Sequence, residues 1–157
     1  MAAALMILCQ LSKGIYDALN KATSRAHGNW LHFLGSDDRL LPGFSDLVNE
    51  LTDSNTIYYG NSDPHFNEGQ KTFELLTGAF SPYRLAKYCM NHQSILYPAA
   101  VFKKYSYNLR YKVFGDYDLN LKLWGDGAFV KKHYPFTIAL YNMGGFSSIM
   151  KDELFIK

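Results

Sequence analysis

Two adjacent carboxylates, Asp37 and Asp38, follow Gly35-Ser36 at the end of the apolar run Asn29-Trp30-Leu31-His32-Phe33-Leu34. A second acidic pair, Asp116 and Asp118, lies in Phe114-Gly115-Asp116-Tyr117-Asp118. Between them a polar triplet, Asn91-His92-Gln93, leads into the apolar Ser94-Ile95-Leu96-Tyr97. Carboxylates can hold a hard divalent cation through oxygen, or take a proton as a general base. They can also do neither. Gly-Ser-Asp-Asp suits a turn that caps the next helix, and acids in a helix's first turn serve as caps and dipole partners. Both readings stand at this stage.

The elements that would position these residues are legible in outline. Residues 29–34 read as a buried strand that delivers Asp37 and Asp38 to the carboxyl end of a sheet, where open α/β sheets bind ligands. Before it, Ser12 can cap a helix over 14–27, with Ile15, Ala18, Leu19, Ala22 and Ala26 on one buried face and Gly28 as its stop. Lys13, Tyr16, Asp17, Asn20 and Lys21 then share the polar side, either a solvated face or the rim of a site. Lys13 beside Gly14 at a helix N-terminus would suit a phosphate. After Pro42, the residues Phe44, Leu47, Val48 and Leu51 predict a second amphipathic helix. Thr56 to Gly60 reads as a strand, residues 61–69 as a loop and residues 70–76 as a further strand. Ser81-Pro82 starts a helix over 83–89, and Pro98 to Tyr105 gives a short one. Residues 107–113 read as a loop or an extended piece. Leu119, Leu123 and Trp124 share a face of a helix opened by Gly115-Asp116 and ended at Gly125. Residues 128–133 and 136–141 read as two strands, and residues 143–148 as a Gly-rich turn.

Composition bounds the function. A chain of 157 residues, 48% of them hydrophobic, holds one core and one main domain, residues 12–157. The net charge of +2 carries no basic block, so nothing points to nucleic acid. Cys9 and Cys89 form no disulfide framework and no zinc spacing, which implies a reducing compartment. Residues 1–11 are apolar yet too short for a transmembrane helix and lack the positive start of a secretory signal. They read as the remnant of a strand or helix, or as an end that touches a membrane.

Four separated motifs stand in a telling order: Lys13-Gly14-Ile15-Tyr16-Asp17-Ala18-Leu19-Asn20-Lys21, then Gly28-Asn29-Trp30 with Phe33 to Asp38, then Asn91-His92-Gln93-Ser94, then Gly115 to Leu123. Together they resemble the family 2 glycosyltransferases of the GT-A fold, of the bacterial surface-polysaccharide type, over residues 12–148. The resemblance implies an α/β, Rossmann-like mixed sheet flanked by helices. It implies an inverting glycosyltransferase that moves a sugar from a nucleotide-diphosphate sugar to an acceptor hydroxyl, sugar or lipid-linked, in polysaccharide or glycolipid synthesis. Residue by residue, Asp38 matches the acid that binds a divalent cation, Mn²⁺ or Mg²⁺. Asp37 matches the acid near the ribose that also touches the metal. Lys13 and Asp17 fall on the cofactor-binding motif, His92 and Gln93 on a substrate-binding pair, and Asp116 on the catalytic base. The glutamate that usually precedes the base is Gly115 here.

The same resemblance places a nucleotide-binding half ahead of Lys13, where twelve residues stand. The expectation is therefore a fold incomplete at its N-terminus, through truncation, completion by another chain or a second copy, or loss of catalysis. A non-catalytic binding or assembly module completed by a partner is the alternative function. The expected location is the cytoplasm, at the inner face of a membrane.

Overall fold

The computed structural model describes residues 12–65, 77–142 and 152–156. The expectations for residues 1–11, for a strand over 70–76 and for the Gly-rich turn over 143–148 fall outside the described residues.

The fold is mixed α/β. In chain order the elements are α1 (Ile15–Thr23), β1 (Trp30–His32), β2 (Arg39–Leu40), α2 (Gly43–Asn49), β3 (Thr56–His65), α3 (Pro82–Lys87), a 3-10 turn (His92–Ser94), β4 (Ile95–Pro98), α4 (Ala99–Lys104), α5 (Gly115–Gly125), β5 (Val130–Asn142) and α6 (Glu153–Ile156). The five strands form one sheet in the order β1-β4-β3-β5-β2. β3 and β5 run parallel, and the other three pairings are antiparallel.

Strand alternation explains why helices lie on both faces. In β3, Ile57 and Tyr59 point to one side and Tyr58 to the other; in β4, Ile95 and Tyr97 oppose Leu96 in the same way. The larger core joins Ile57, Tyr59, Ile95 and Tyr97 to Tyr16 of α1, Leu85 of α3, Val101 of α4 and Leu119 and Leu123 of α5. The smaller one packs Leu47 of α2 on Tyr58, Leu96, Ile138 and Ala139. Leu119 and Leu123 lie one turn apart on α5, and both are fully buried. Each anchors the helix by about 2 kcal/mol of apolar burial, so the first turn of α5, which carries Asp116, is a fixed platform.

Several details differ from the sequence expectation. α1 ends at Thr23, and Ser12 does not cap it; Gly14 holds the cap position, and the Asp17 carboxylate instead accepts the Lys13 N–H at 2.8 Å. Ile15 is exposed, while Tyr16, expected on the polar face, is buried. A tyrosine can bury its ring and still satisfy its hydroxyl, whereas the pattern of apolar letters registers only Ile15. β3 does not stop at Gly60 but runs to His65, because residues 61–65 pair with residues 137–142 of β5. Among the described residues β4 pairs with β3 only at Tyr58 and Tyr59, and β3 at Pro64 has a partner strand on one side alone, a position where proline is tolerated. β5 is one strand rather than two: it continues past Pro135 with two register shifts against β3, one opposite Gly60 and one between Asn61 and Ser62.

Candidate functional site

Two acids far apart in sequence meet on one short turn. The 3-10 turn that leads into β4 sends the side chains of two consecutive residues in different directions. His92 donates from Nδ1 to Oδ2 of Asp116 at 3.1 Å. Gln93 donates its side-chain amide to Oδ2 of Asp38. The turn itself is built locally: the Asn91 side chain accepts the Gln93 N–H at 2.9 Å, and Ser94 Oγ donates to the Asn91 carbonyl at 2.7 Å. Beneath it, His32 of β1 donates from Nε2 to the Gln93 carbonyl at 2.8 Å. Burial holds the His32 imidazole below its usual pKa, so it sits there neutral.

Asp38 is buried and accepts three hydrogen bonds. Besides Gln93, its Oδ2 accepts the Gly35 N–H at 3.2 Å, and Oδ1 accepts the Asn142 N–H, from the end of β5, at 2.9 Å. Gly35 leaves no room for a side chain, since a Cβ there would collide with Asp38 Oδ2. Asp37, the neighbour, is exposed. It lines an open depression of about 260 Å³ together with Arg39, Leu140 and Asn142.

Asp116 is held in a different way. Tyr16 reaches from α1 to share its hydroxyl proton between Asp116 Oδ1, at 3.1 Å, and the Val113 carbonyl. The Tyr117 N–H also donates to Oδ1, at 2.9 Å. The Asp116 side chain keeps 14% of its surface exposed and His92 keeps 24%, so solvent reaches the pair. Burial, and then the negative charge of Asp116, push the Tyr16 phenol far above its ordinary pKa, which keeps it a donor. Gly115 is required by this arrangement: a Cβ would sit 2.7 Å from the Tyr16 ring. The tyrosine ring thus covers the position next to Asp116 where a glutamate was expected.

The remaining sequence candidates fall as follows. Asp17 accepts Lys21 Nζ at 2.7 Å and the Lys13 N–H, and these bonds hold its carboxyl below its usual pKa. Lys13 is exposed at the start of α1. Asp118 pairs with Lys122 one turn on, at 2.6 Å. Sequence reasoning missed Tyr16 as a site residue, along with Arg39 and the Asn142 N–H. The Tyr16 ring lies in a stretch read as a polar helix face, and the partner of Asp38 lies 104 residues away in β5.

The donor set fits a divalent cation only in part. Among the described residues no three His, Cys, Asp or Glu side chains cluster as a metal cage. Of the two acids read as metal ligands, Asp38 already accepts three donors on its two oxygens, whereas Asp37 is exposed beside the depression. One carboxylate completed by water and phosphate oxygens is a set that Mg²⁺ accepts.

Fold and site together define an α/β protein in which one short turn links a buried structural acid to an accessible one. Compared with known proteins, the chain is 34% identical over 164 aligned positions to a PGL/p-HBAD biosynthesis glycosyltransferase of Mycobacterium tuberculosis strain H37Rv, and equally to one of Mycobacterium bovis BCG. The alignment takes in 98% of this chain, and the chain spans about 60% of the length of these curated relatives. No family model matches. The chain is therefore related to glycosyltransferases. No helix among the described residues is long and apolar enough to cross a membrane.

Proposed function

We propose that this chain carries the base-bearing part of an inverting glycosyltransferase of the family 2, GT-A type, which moves a sugar from a nucleotide-diphosphate sugar to an acceptor hydroxyl of a polysaccharide or glycolipid. The observation that carries this reading is the turn at His92-Gln93, which ties the accessible Asp116 to the loop that presents Asp37. In the proposed step the acceptor hydroxyl meets Asp116, which takes its proton as the oxygen attacks the anomeric carbon. The carbon–oxygen bond to the diphosphate breaks, and the diphosphate leaves with the electron pair. Attack from the face opposite the leaving group inverts the anomeric centre. His92 steadies Asp116 through Oδ2. Tyr16 does not compete as a base, because its phenol is held protonated.

Asp37 and Arg39 share the depression beside β5 and form the proposed diphosphate end of the site. Arg39 offers a forked donor to phosphate oxygens. A Mn²⁺ or Mg²⁺ ion held there by Asp37 would supply Lewis-acid stabilisation of the leaving diphosphate. In this reading Asp38 shapes the loop rather than touching the metal. Lys13 and Asp17 at the start of α1 complete the proposed cofactor-binding set, and Gln93 serves the acceptor side through its hold on the loop.

A second reading, a binding or assembly module completed by a partner chain, is favoured by β1, which among the described residues pairs on one side only, with β4. Isothermal titration with UDP and Mn²⁺ separates the two. Saturable heat that is lost on removing Mn²⁺ supports the transferase reading. Absence of heat from a folded sample across nucleoside diphosphates favours the second.

A further inference from the structure

Asp152 lies immediately ahead of α6, and its side chain is buried. Its carboxylate accepts three consecutive backbone N–H groups: Lys112 at 2.8 Å, Val113 at 2.7 Å and Phe114 at 2.8 Å. Successive N–H groups converging on one anion form a nest, and this one leads directly into α5. Three residues on, the Phe155 ring packs against Tyr111, Phe114 and Tyr117, with centroids 5.3, 5.2 and 5.0 Å away. The segment thus grips both the loop before α5 and the first turn of that helix. Val113 is held on both sides: Asp152 accepts its N–H, and Tyr16 donates to its carbonyl. The same Tyr16 hydroxyl reaches Asp116. An unbroken path of named bonds therefore runs from Asp152 through Val113 and Tyr16 to Asp116.

We propose that Asp152, seated by Phe155, is a positioning residue for Asp116: it fixes the peptide at Val113, whose carbonyl sets the Tyr16 hydroxyl against the Asp116 carboxylate. This rests on the reading of Asp116 as the base. Asp152 makes its hydrogen bonds to the N–H groups of Lys112, Val113 and Phe114 and none to Asp116, so its effect on transfer passes through the Val113 peptide and the Tyr16 hydroxyl. Misplacing a reacting group by about an ångström lowers a rate by about a hundredfold.

The test uses the full chain with Asp152→Ala and Phe155→Leu. In the native chain the Tyr16 hydroxyl proton is expected as a protected NMR resonance, and the amides of residues 112–114 as slowly exchanging. In Asp152→Ala the Tyr16 signal is lost, those amides exchange faster, and kcat falls about tenfold to a hundredfold while KM for the nucleotide-sugar donor stays within twofold. Added to Asp116→Asn, Asp152→Ala lowers transfer no further. A folded Asp152→Ala chain with native kcat and a retained Tyr16 signal overturns the proposal, as does a loss that multiplies with that of Asp116→Asn. Should Asp152→Ala not fold, Phe155→Leu decides: loss of the Tyr16 signal with a lower kcat supports the latch, and native values of both overturn it. Should the native chain transfer no sugar from any of a panel of nucleotide-diphosphate sugars, the transferase reading falls, and the Tyr16 resonance with the 112–114 amides still decides the latch.

Discussion

Asp38 and Asp116 receive side chains from neighbouring residues of the same turn, yet they are held by opposite means. Asp38 is gripped mainly by backbone, through the N–H groups of Gly35 and Asn142, with Gln93 closing its last exposed side. Asp116 is held by the side chains of Tyr16 and His92 and by one adjacent N–H. Backbone donors cannot leave without unfolding a segment, whereas side chains can turn away to admit another partner. The contrast separates an acid locked into its loop from one whose side-chain partners can turn aside. It also shows why identity and spacing alone could not rank the two pairs.

The largest effect that would sharpen this contrast belongs to Asp116→Asn. Transfer should fall by about a hundredfold to ten-thousandfold, the range for loss of a general base, while the thermal midpoint hardly moves. Asp38→Ala should show the reverse. It removes the acceptor of two part-buried N–H groups and of the buried Gln93 amide, and chemical denaturation should register a loss of about 3 kcal/mol. A folding loss in Asp116→Asn as large as that in Asp38→Ala would erase the distinction. Tyr16→Phe sits between them: removing the hydroxyl leaves the Val113 carbonyl unpaired and should cost about 1 kcal/mol of stability, with transfer lowered about tenfold. The smallest effect concerns pH. His32 is held below its ordinary value of 6.5, mainly by burial, so the unfolded chain binds that proton more readily than the folded one. Stability from this group is complete above about pH 6.5 and declines as the pH falls toward the lowered folded value. Denaturation curves at stepped pH should show that decline, and His32→Gln should flatten it.

How much of this was legible in the sequence depended on how local the cause was. α5 could be read from Gly115 to Gly125 because its apolar spacing and its end signals lie within the helix. The polar triplet at Asn91-His92-Gln93 could be picked out because it stands directly before the apolar run that becomes β4. The division of labour between Asp37 and Asp38 could not, since it depends on which of two adjacent side chains turns inward to meet Asn142 from β5. Tyr16 was hidden for a related reason. Its ring occupies the space that Gly115 vacates, and that fit joins residues nearly a hundred positions apart. The extension of β3 through Asp63-Pro64 escaped because local turn chemistry was outweighed by a parallel ladder to β5. A mixed α/β sheet flanked by helices was expected only through the resemblance of four motifs; its five-stranded order is what the structure adds.

The account stands most directly on the stereochemistry of transfer. With a nucleotide-diphosphate sugar that the chain turns over, the proton NMR coupling of the first-formed product reports its anomeric configuration. A single displacement in which Asp116 takes the acceptor proton predicts that every product carries the configuration opposite to the donor's. A product that retains the donor's configuration would contradict it, because a single displacement at the anomeric carbon cannot retain.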